Sequence, residues 1–352
     1  MFVVGWMLGA GAMALHAEVA SGSVGFLNIS LLRDSDTIVA VPLAPDIEYT
    51  GRFGAITAGS AGQFTAELAN PAGFGDDQFK DAYYVRVETG SRRGKYYTIV
   101  GNSGTRLTLD AGGDALSAIA SGDYFCIRKY WTLGTLFPPS AAGTAANPLT
   151  ASAGPLGPQR RSQVIIPRRG YAGLNLPSAG VYYFTTEGWF QAATGNPGAD
   201  NLVLPPDLYL TIRQPAIVAE DVTWTVVGSV VTEDQRIPLQ TRVAGGQDSA
   251  VALNRPLDLR LADLGLESGF LASASTLGPD RRDQLLVFDN SIRAQNKTAA
   301  AIYYLVGGSW VKAATGNPTS DDTVIGVTAG MVVRKAETST ATTAEWLNTK
   351  GY

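Results

Sequence analysis

The chain has 352 residues, a net charge of −4 and only 16% charged residues. That length can bury a sizeable core and, at about 100–200 residues per domain, implies two or three domains. The small negative charge offers no general attraction to nucleic acid or to an anionic membrane surface.

The first element is an export signal. Phe2 to Leu15 is apolar and uncharged, and Leu15-His16-Ala17 stands at the A-x-A spacing, predicting cleavage of residues 1–17 before Glu18. The run is shorter than the ~20 residues of a membrane span, so no span is expected in the mature chain. Retention as an N-terminal anchor is the alternative. Removal of the signal takes away the only histidine, His16, and leaves the single cysteine, Cys126. Without imidazole or a second thiol, Ser-His-Asp and Cys-His nucleophiles, His/Cys zinc sites and intrachain disulfides are all excluded from the mature protein.

Strand patterns follow. Residues 23–32 are apolar-rich, and Asp36 to Leu43 is a β-branched run interrupted by Pro42. Tyr83 to Glu88 alternates, turns through residues 89–94 and returns as Lys95 to Val100, a hairpin with a long loop. Arg106 to Leu109 is a further strand, residues 114–120 supply a helical turn or two, and Tyr124 to Arg128 is apolar. Residues 138–148, rich in Pro, Ala and Gly, read as a linker. Val222 to Thr232 predicts strand segments, Leu257 to Leu266 a helix, and residues 338–343 a loose tail.

Residues 149–213 recur at 270–334 without a gap. Tyr182-Tyr183, Trp189 and Ala192 to Pro197 match Tyr303-Tyr304, Trp310 and Ala313 to Pro318 at one offset, 303 − 182 = 121. Arg160-Arg161, Asp200 and Arg213 likewise match Arg281-Arg282, Asp321 and Arg334. Ile127-Arg128-Lys129 resembles the ends of both copies, which suggests a third, diverged meander before the linker. The resulting expectation is an all-β fold, mainly antiparallel, of sandwich or barrel-like units with an internal duplication and few short helices. The expected divisions are a signal (1–17), an N-terminal β domain (18–137), the linker (138–148), a first repeat unit (149–256), a second (257–335) and a tail (336–352).

Several side chains invite chemistry. Trp189 and Trp310, with Tyr182 and Tyr303, form a sugar-stacking platform if exposed and core if buried. Asp200-Asn201 and Asp321-Asp322 are oxygen-rich candidates for calcium, although one loop falls short of about six to eight ligands and Asx turns compete for the same residues. Asp200 and Asp321 also offer charge partners to Arg213 and Arg334. Arg160-Arg161 and Arg281-Arg282 suggest an anion site or arginines packed within each repeat. Glu67, Asp76, Asp77 and Glu187 are the carboxylates from which a glycosidase pair would come. Cys126, in an apolar strand, reads as buried filler.

Gly122-Asp123 leading to Trp131 to Phe137, the run Asp283 to Asn290, and Val332 to Ala336 together resemble a family of secreted bacterial proteins that has no established activity. The resemblance spans most of the mature chain and implies export, with no functional residues to carry over. The sequence therefore points to a non-catalytic, secreted or cell-surface structural protein that associates with itself or with other surface proteins. No catalytic residues and, calcium aside, no cofactor are expected. Carbohydrate binding through exposed Trp and Tyr is the alternative, with polysaccharide as partner, and a histidine-free polysaccharide lyase or hydrolase is the third reading.

Overall fold

The computed structural model of the chain describes residues 23–60 and 62–349, and the predicted signal lies outside them. The fold is all-β. Strands β1 (Val24–Leu31), β2 (Ser35–Val39) and β3 (Leu43–Ala44) come first. A closed barrel follows, built from β4 (Ile47–Ala58), β5 (Gln63–Leu68), β6 (Tyr83–Val87), β7 (Tyr96–Asn102), β8 (Arg106–Asp110) and β9 (Tyr124–Lys129) in the order β4-β5-β8-β7-β6-β9.

Closure depends on β4. Its first half pairs with β9 and its second with β5, and the register shifts between Phe53 and Ile56. Such an irregularity bends one long strand so that it serves two neighbours. Alternate residues point inward, and Phe53, Phe64, Val85, Tyr97, Leu107 and Phe125 fill the interior. The predicted hairpin forms here, with Tyr84 opposite Thr98. The expected third meander does not: Ile127-Arg128-Lys129 ends β9, which pairs with β4 and β6 inside the barrel. The first block is thus a barrel.

Beyond it lie β10 (Trp131–Thr132), helix α1 (Leu133–Leu136), β11 (Gln163–Pro167), β12 (Ser178–Thr185), β13 (Gly188–Gln191), β14 (Val203–Leu204), β15 (Leu210–Gln214) and β16 (Val222–Val230). The remaining strands are β17 (Gln235–Gln240), β18 (Gln247–Ala252), β19 (Leu259–Arg260), β20 (Gln284–Val287), β21 (Ala301–Val306), β22 (Ser309–Lys312), β23 (Val324–Ile325), β24 (Gly330–Lys335) and β25 (Thr343–Asn348). Two five-stranded sheets have matching orders, β13-β12-β11-β15-β2 and β22-β21-β20-β24-β18. Ribbons β1–β16 and β17–β25 match as well, with Ile29 opposite Trp224 in one and Ile237 opposite Trp346 in the other. Each copy has its own core around two buried tryptophans, Trp189 and Trp224 in the first, Trp310 and Trp346 in the second.

The duplicated unit is therefore wider than the sequence match. Its first copy runs from β1 to β16 with the barrel inserted between β3 and β10, and its second runs from β17 to β25. The divisions expected at 138–148 and at 256 do not separate sheets, because β1 and β2 precede the barrel yet complete the first copy, while β17 and β18 complete the second. The helix expected over 257–266 is also absent. Leu261–Asp263 and Glu267–Gly269 are single 3-10 turns, and Gly265 between them has φ +71. Leu347 O lies 2.7 Å from where a Cβ on Gly265 would stand. The leucines are apolar because Leu261, Leu264 and Leu266 line the second core, not because they share a helix face. No described helix is long and apolar enough to cross a membrane.

The copies lock together reciprocally. Arg213 on β15 holds Asp36 on β2 through two bonds of 2.7 Å, and Arg334 on β24 holds Asp248 on β18 at 2.8 and 2.9 Å. Each cluster is completed by an asparagine from the other copy. Asn296 donates its amide N–H to Asp36 and accepts from Arg213, and Asn175 does the same for Asp248 and Arg334. Both asparagines have φ 51, a left-handed conformation that Asn tolerates. The loops carrying them also cover the sheet edges, since Asp36 N donates to Ala294 O and Asp248 N to Gly173 O. Asp36→Ala or Asp248→Ala strands a guanidinium at a buried junction and is expected to cost about 3–5 kcal/mol in chemical denaturation. Arg260→Ala, whose partners Asp263 and Asp322 are exposed, is expected to cost no more than about 1 kcal/mol.

Candidate functional site: the cleft where both copies meet the barrel

Three voids join into one cleft. The first, of about 380 Å³, lies between the copies and is lined by Asn175, Tyr209, Phe288, Lys297 and Arg334. It shares Arg168, Asp248 and Ala250 with a second of about 190 Å³. Arg169, Asp207 and Pro238 link that void to a third, also of about 190 Å³, against Lys95 to Thr98 of the barrel and Arg236. Cations outnumber acids along the lining.

Two of the carboxylates in the cleft, Asp207 and Asp248, have cationic partners, while Asp110 at the third void accepts the Gly112 backbone N–H at 3.0 Å. Asp207 is buried, lies 2.6 Å from Arg169 and accepts the Tyr96 hydroxyl at 2.9 Å. Burial, and then the charge of Asp207, push the Tyr96 phenol well above its ordinary range, so it serves as a donor and not as a base. Asp248 is held by Arg334 from two sides. Tyr96 sits on the barrel and Asp207 in the first copy, so this network fastens the barrel to the repeat. The carboxylates considered for a glycosidase pair lie elsewhere. Glu67 meets Arg106 and Asp77 meets Lys80 on the barrel surface, Asp76 is exposed beside Asp77, and Glu187 is at the exposed tip of the β12–β13 turn.

A second cluster lies on the outer face of the barrel, where Glu88, Cys126 and Glu233 bring their ligand atoms within 4.8 Å of one another. Its neighbours oppose a metal ion. Arg128 donates to Glu233 at 3.0 Å, and Arg86 and Arg128 are each only 2% exposed. Arg86 Nε and Nη1, Arg128 Nε and Tyr84 Oη are buried without a protein partner, as is Glu233 Oε2, so the unfilled groups around the cluster are mostly donors where a cation needs acceptors. Burial pushes the Cys126 thiol up to about 12, so the sulfur keeps its proton. Burial and then the Glu233 charge raise the Glu88 carboxyl, whereas Arg128 and Arg86 outweigh burial and lower Glu233. This polar layer joins the barrel to the segment between the copies.

The residues singled out from sequence have structural positions. Trp189 and Trp310 are 0% and 1% exposed, and Tyr182 and Tyr303 are also buried, so the expected platform has no accessible ring face. The indoles donate inward, Trp189 to Phe137 O at 2.9 Å and Trp310 to Glu267 Oε1 at 2.6 Å. Asp200 accepts the backbone N–H of Trp189 at 3.1 Å, and Asp321 that of Trp310 at 2.7 Å, pinning each hairpin to the loop after it. Asp322 points outward to Arg260. These oxygens do not converge as a calcium shell requires. Nor do Asp200 and Asp321 pair with Arg213 and Arg334, which take Asp36 and Asp248. Arg160 and Arg281 stack over Tyr183 and Tyr304, each 4.9 Å from the ring centre, an arrangement preserved in both copies.

Sequence reasoning missed Asp36 and Asp248 because the barrel hides their equivalence. Asp36 and Arg213 are 177 residues apart, Asp248 and Arg334 only 86, and the difference, 177 − 86 = 91, is extra length in the first copy, most of it the barrel. Comparison with family models, curated proteins and solved structures found no match to this chain.

Two outcomes follow for these side chains. Trp310→Ala removes a buried indole and is expected to cost about 3–5 kcal/mol of stability, measured by urea denaturation. Glu88 has a raised folded-state pKa, so it favours folding below its unfolded value, and that contribution is lost as pH rises through the folded value. Glu88→Gln is therefore expected to flatten the fall in stability as pH rises above the ordinary carboxylate range and to raise stability at neutral pH, read by urea denaturation across pH.

Proposed function

We propose that this is a non-catalytic, exported structural protein of the cell surface or of an extracellular assembly. The observation that carries the reading is that the groups able to do chemistry are engaged in joining parts of the fold. Asp207, Tyr96 and Arg169 tie the barrel to the first copy, Asp36 and Asp248 tie copy to copy, and the aromatic residues of the repeat form the cores. The apolar start of the chain and the likeness to a family of secreted bacterial proteins support export. A duplicated all-β unit braced by its own loops suits a load-bearing or layer-forming role better than one that opens for turnover.

Polysaccharide binding is the second reading, moved from the tryptophans to the cleft. Arg168 lines the cleft and stacks over Tyr171, which is 54% exposed, so a cation and an accessible ring stand side by side. Electron microscopy of the purified mature protein is expected to show dimers or larger assemblies such as filaments or sheets. Dispersed monomers that bind acidic glycans, with binding lost in Tyr171→Ala, would replace the first reading with the second.

A further inference from the structure

The pseudo-symmetry of the two copies exposes a difference between equivalent strands. Ile29 and Ile237 occupy the same place, so β1 corresponds to β17 and Asn28 to Arg236. In the second copy the outer edge of β17 is covered, with Arg236 donating its N–H to Gly94 O at 3.0 Å and its side chain to Arg93 O. The same strand carries Pro238, which cannot donate to a further strand. Only the first copy contains a barrel, and its residues do not reach β1 in the way they reach β17. Among the described residues, β1 pairs with β16 on one side, and no backbone hydrogen bond reaches its other edge.

The open edge has the composition of a pairing strand. Val24 to Leu31 contains no charge and no proline. By equivalence with Arg236, the backbone groups of Asn28, and so of Val24, Phe26 and Ser30, point to the open side. Val24 and Phe26 are 69% and 71% exposed, and Val227, opposite Phe26 on β16, is 55% exposed, which makes an apolar face beside the edge. Exposed, uncharged strands of this kind template further pairing unless a charge, a proline or a cover blocks them. The outer edges of both five-stranded sheets are covered: loops 197–199 and 318–320 bond to β13 and β22, and the loops around Ala294 and Gly173 bond to β2 and β18.

We infer that β1 pairs antiparallel with β1 of a second copy of this chain about a two-fold axis near Leu27, an inference that deepens and rests on the assembly role proposed above. This register sets Val24 against Ser30 and Phe26 against Asn28 of the partner, so the outward amides and carbonyls of all four are used. It brings no like charges together, and it merges the two β1–β16 ribbons into one sheet with Val24, Phe26 and Val227 continuous across the junction. A strand that is uncharged along its whole length is complementary to itself, which favours a second copy over a charged foreign partner.

The test uses the full chain and the form beginning at Glu18. Sedimentation is expected to show a concentration-dependent dimer. Ser30→Pro places at the first copy's edge the residue that β17 carries at the same position, and it should weaken dimerisation by at least about tenfold while leaving the melting curve unchanged. Phe26→Lys should act in the same direction. Leu27→Cys should form an interchain disulfide under mild oxidation, because a residue facing itself across the axis in a non-hydrogen-bonded pair has suitable geometry, and buried Cys126 gives no background. A monomer throughout the concentration range overturns the inference, as does a dimer indifferent to both Ser30→Pro and Phe26→Lys. Protection of the Phe26 and Asn28 amides from exchange in a monomer also overturns it, since the chain's own preceding residues would then cover the edge. Filaments that persist in Phe26→Lys reject β1 pairing and leave the assembly role standing, whereas enzymatic turnover by a non-assembling monomer removes the role itself.

Discussion

Two buried carboxylates, Asp36 and Asp248, organise this molecule. Each sits on the last strand of a five-stranded sheet and is held by an arginine on the neighbouring strand, with the final hydrogen bond supplied by an asparagine from the opposite copy. A carboxylate withdrawn from water is costly unless its lone pairs are filled, and neither copy can fill them alone. Separating the copies would leave two ionised groups partly unsatisfied and two sheet edges open. The duplication is therefore a mutual dependence and not a string of independent modules. The near-perpendicular requirements of edge protection and charge satisfaction are met by the same two loops.

Onto this symmetric frame the barrel imposes asymmetry. It is inserted where the second copy has only the short connection between β18 and β19, and it reaches across to the far copy. Arg92 meets Glu345, Arg93 meets Asp234, and Arg128 meets Glu233, so basic residues of the barrel answer acids near the start and end of the second copy. The barrel thus closes the edge of β17, while among the described residues no backbone bond covers the corresponding edge of β1. One insertion explains both the braced side of the molecule and the unbraced one.

The sequence carried this architecture unevenly. The all-β class, the 83–100 hairpin and the two copies were legible because period-two alternation, turn residues and a constant offset of 121 are local signals. The outer strands of each copy were not, because β1 and β17 share few identities and their equivalence emerges only from register. Leu259, Leu261, Leu264 and Leu266 mimic a helical period, yet their burial is imposed by Trp310 and Trp346 from other strands while Gly265 breaks the helix. The tryptophans themselves were ambiguous for a general reason. An aromatic residue in a short strand looks the same in sequence whether its face meets a core or a sugar, and only the second layer over it decides. Here that layer exists, with Phe137 and Phe184 against Trp189 and Phe270 against Trp310.

The same distinction bears on chemistry. A catalytic carboxylate, phenol or thiol needs a free lone pair or a proton it can exchange near neutral pH. Asp207 is paired with Arg169, the Tyr96 and Tyr97 phenols are driven upward by burial and by neighbouring carboxylates, and burial together with the Glu233 charge keeps the proton on Cys126. For Tyr96 the perturbation that would mark an active site has its bonding partner, Asp207, in a different part of the fold. Tyr97 and Lys95 meet Asp114 within the barrel, and Lys95 and Arg92 continue the network towards Glu345 in the second copy. Tyr96 with Asp207 and Arg128 with Glu233 thus place perturbed ionisation where the barrel meets the rest of the fold.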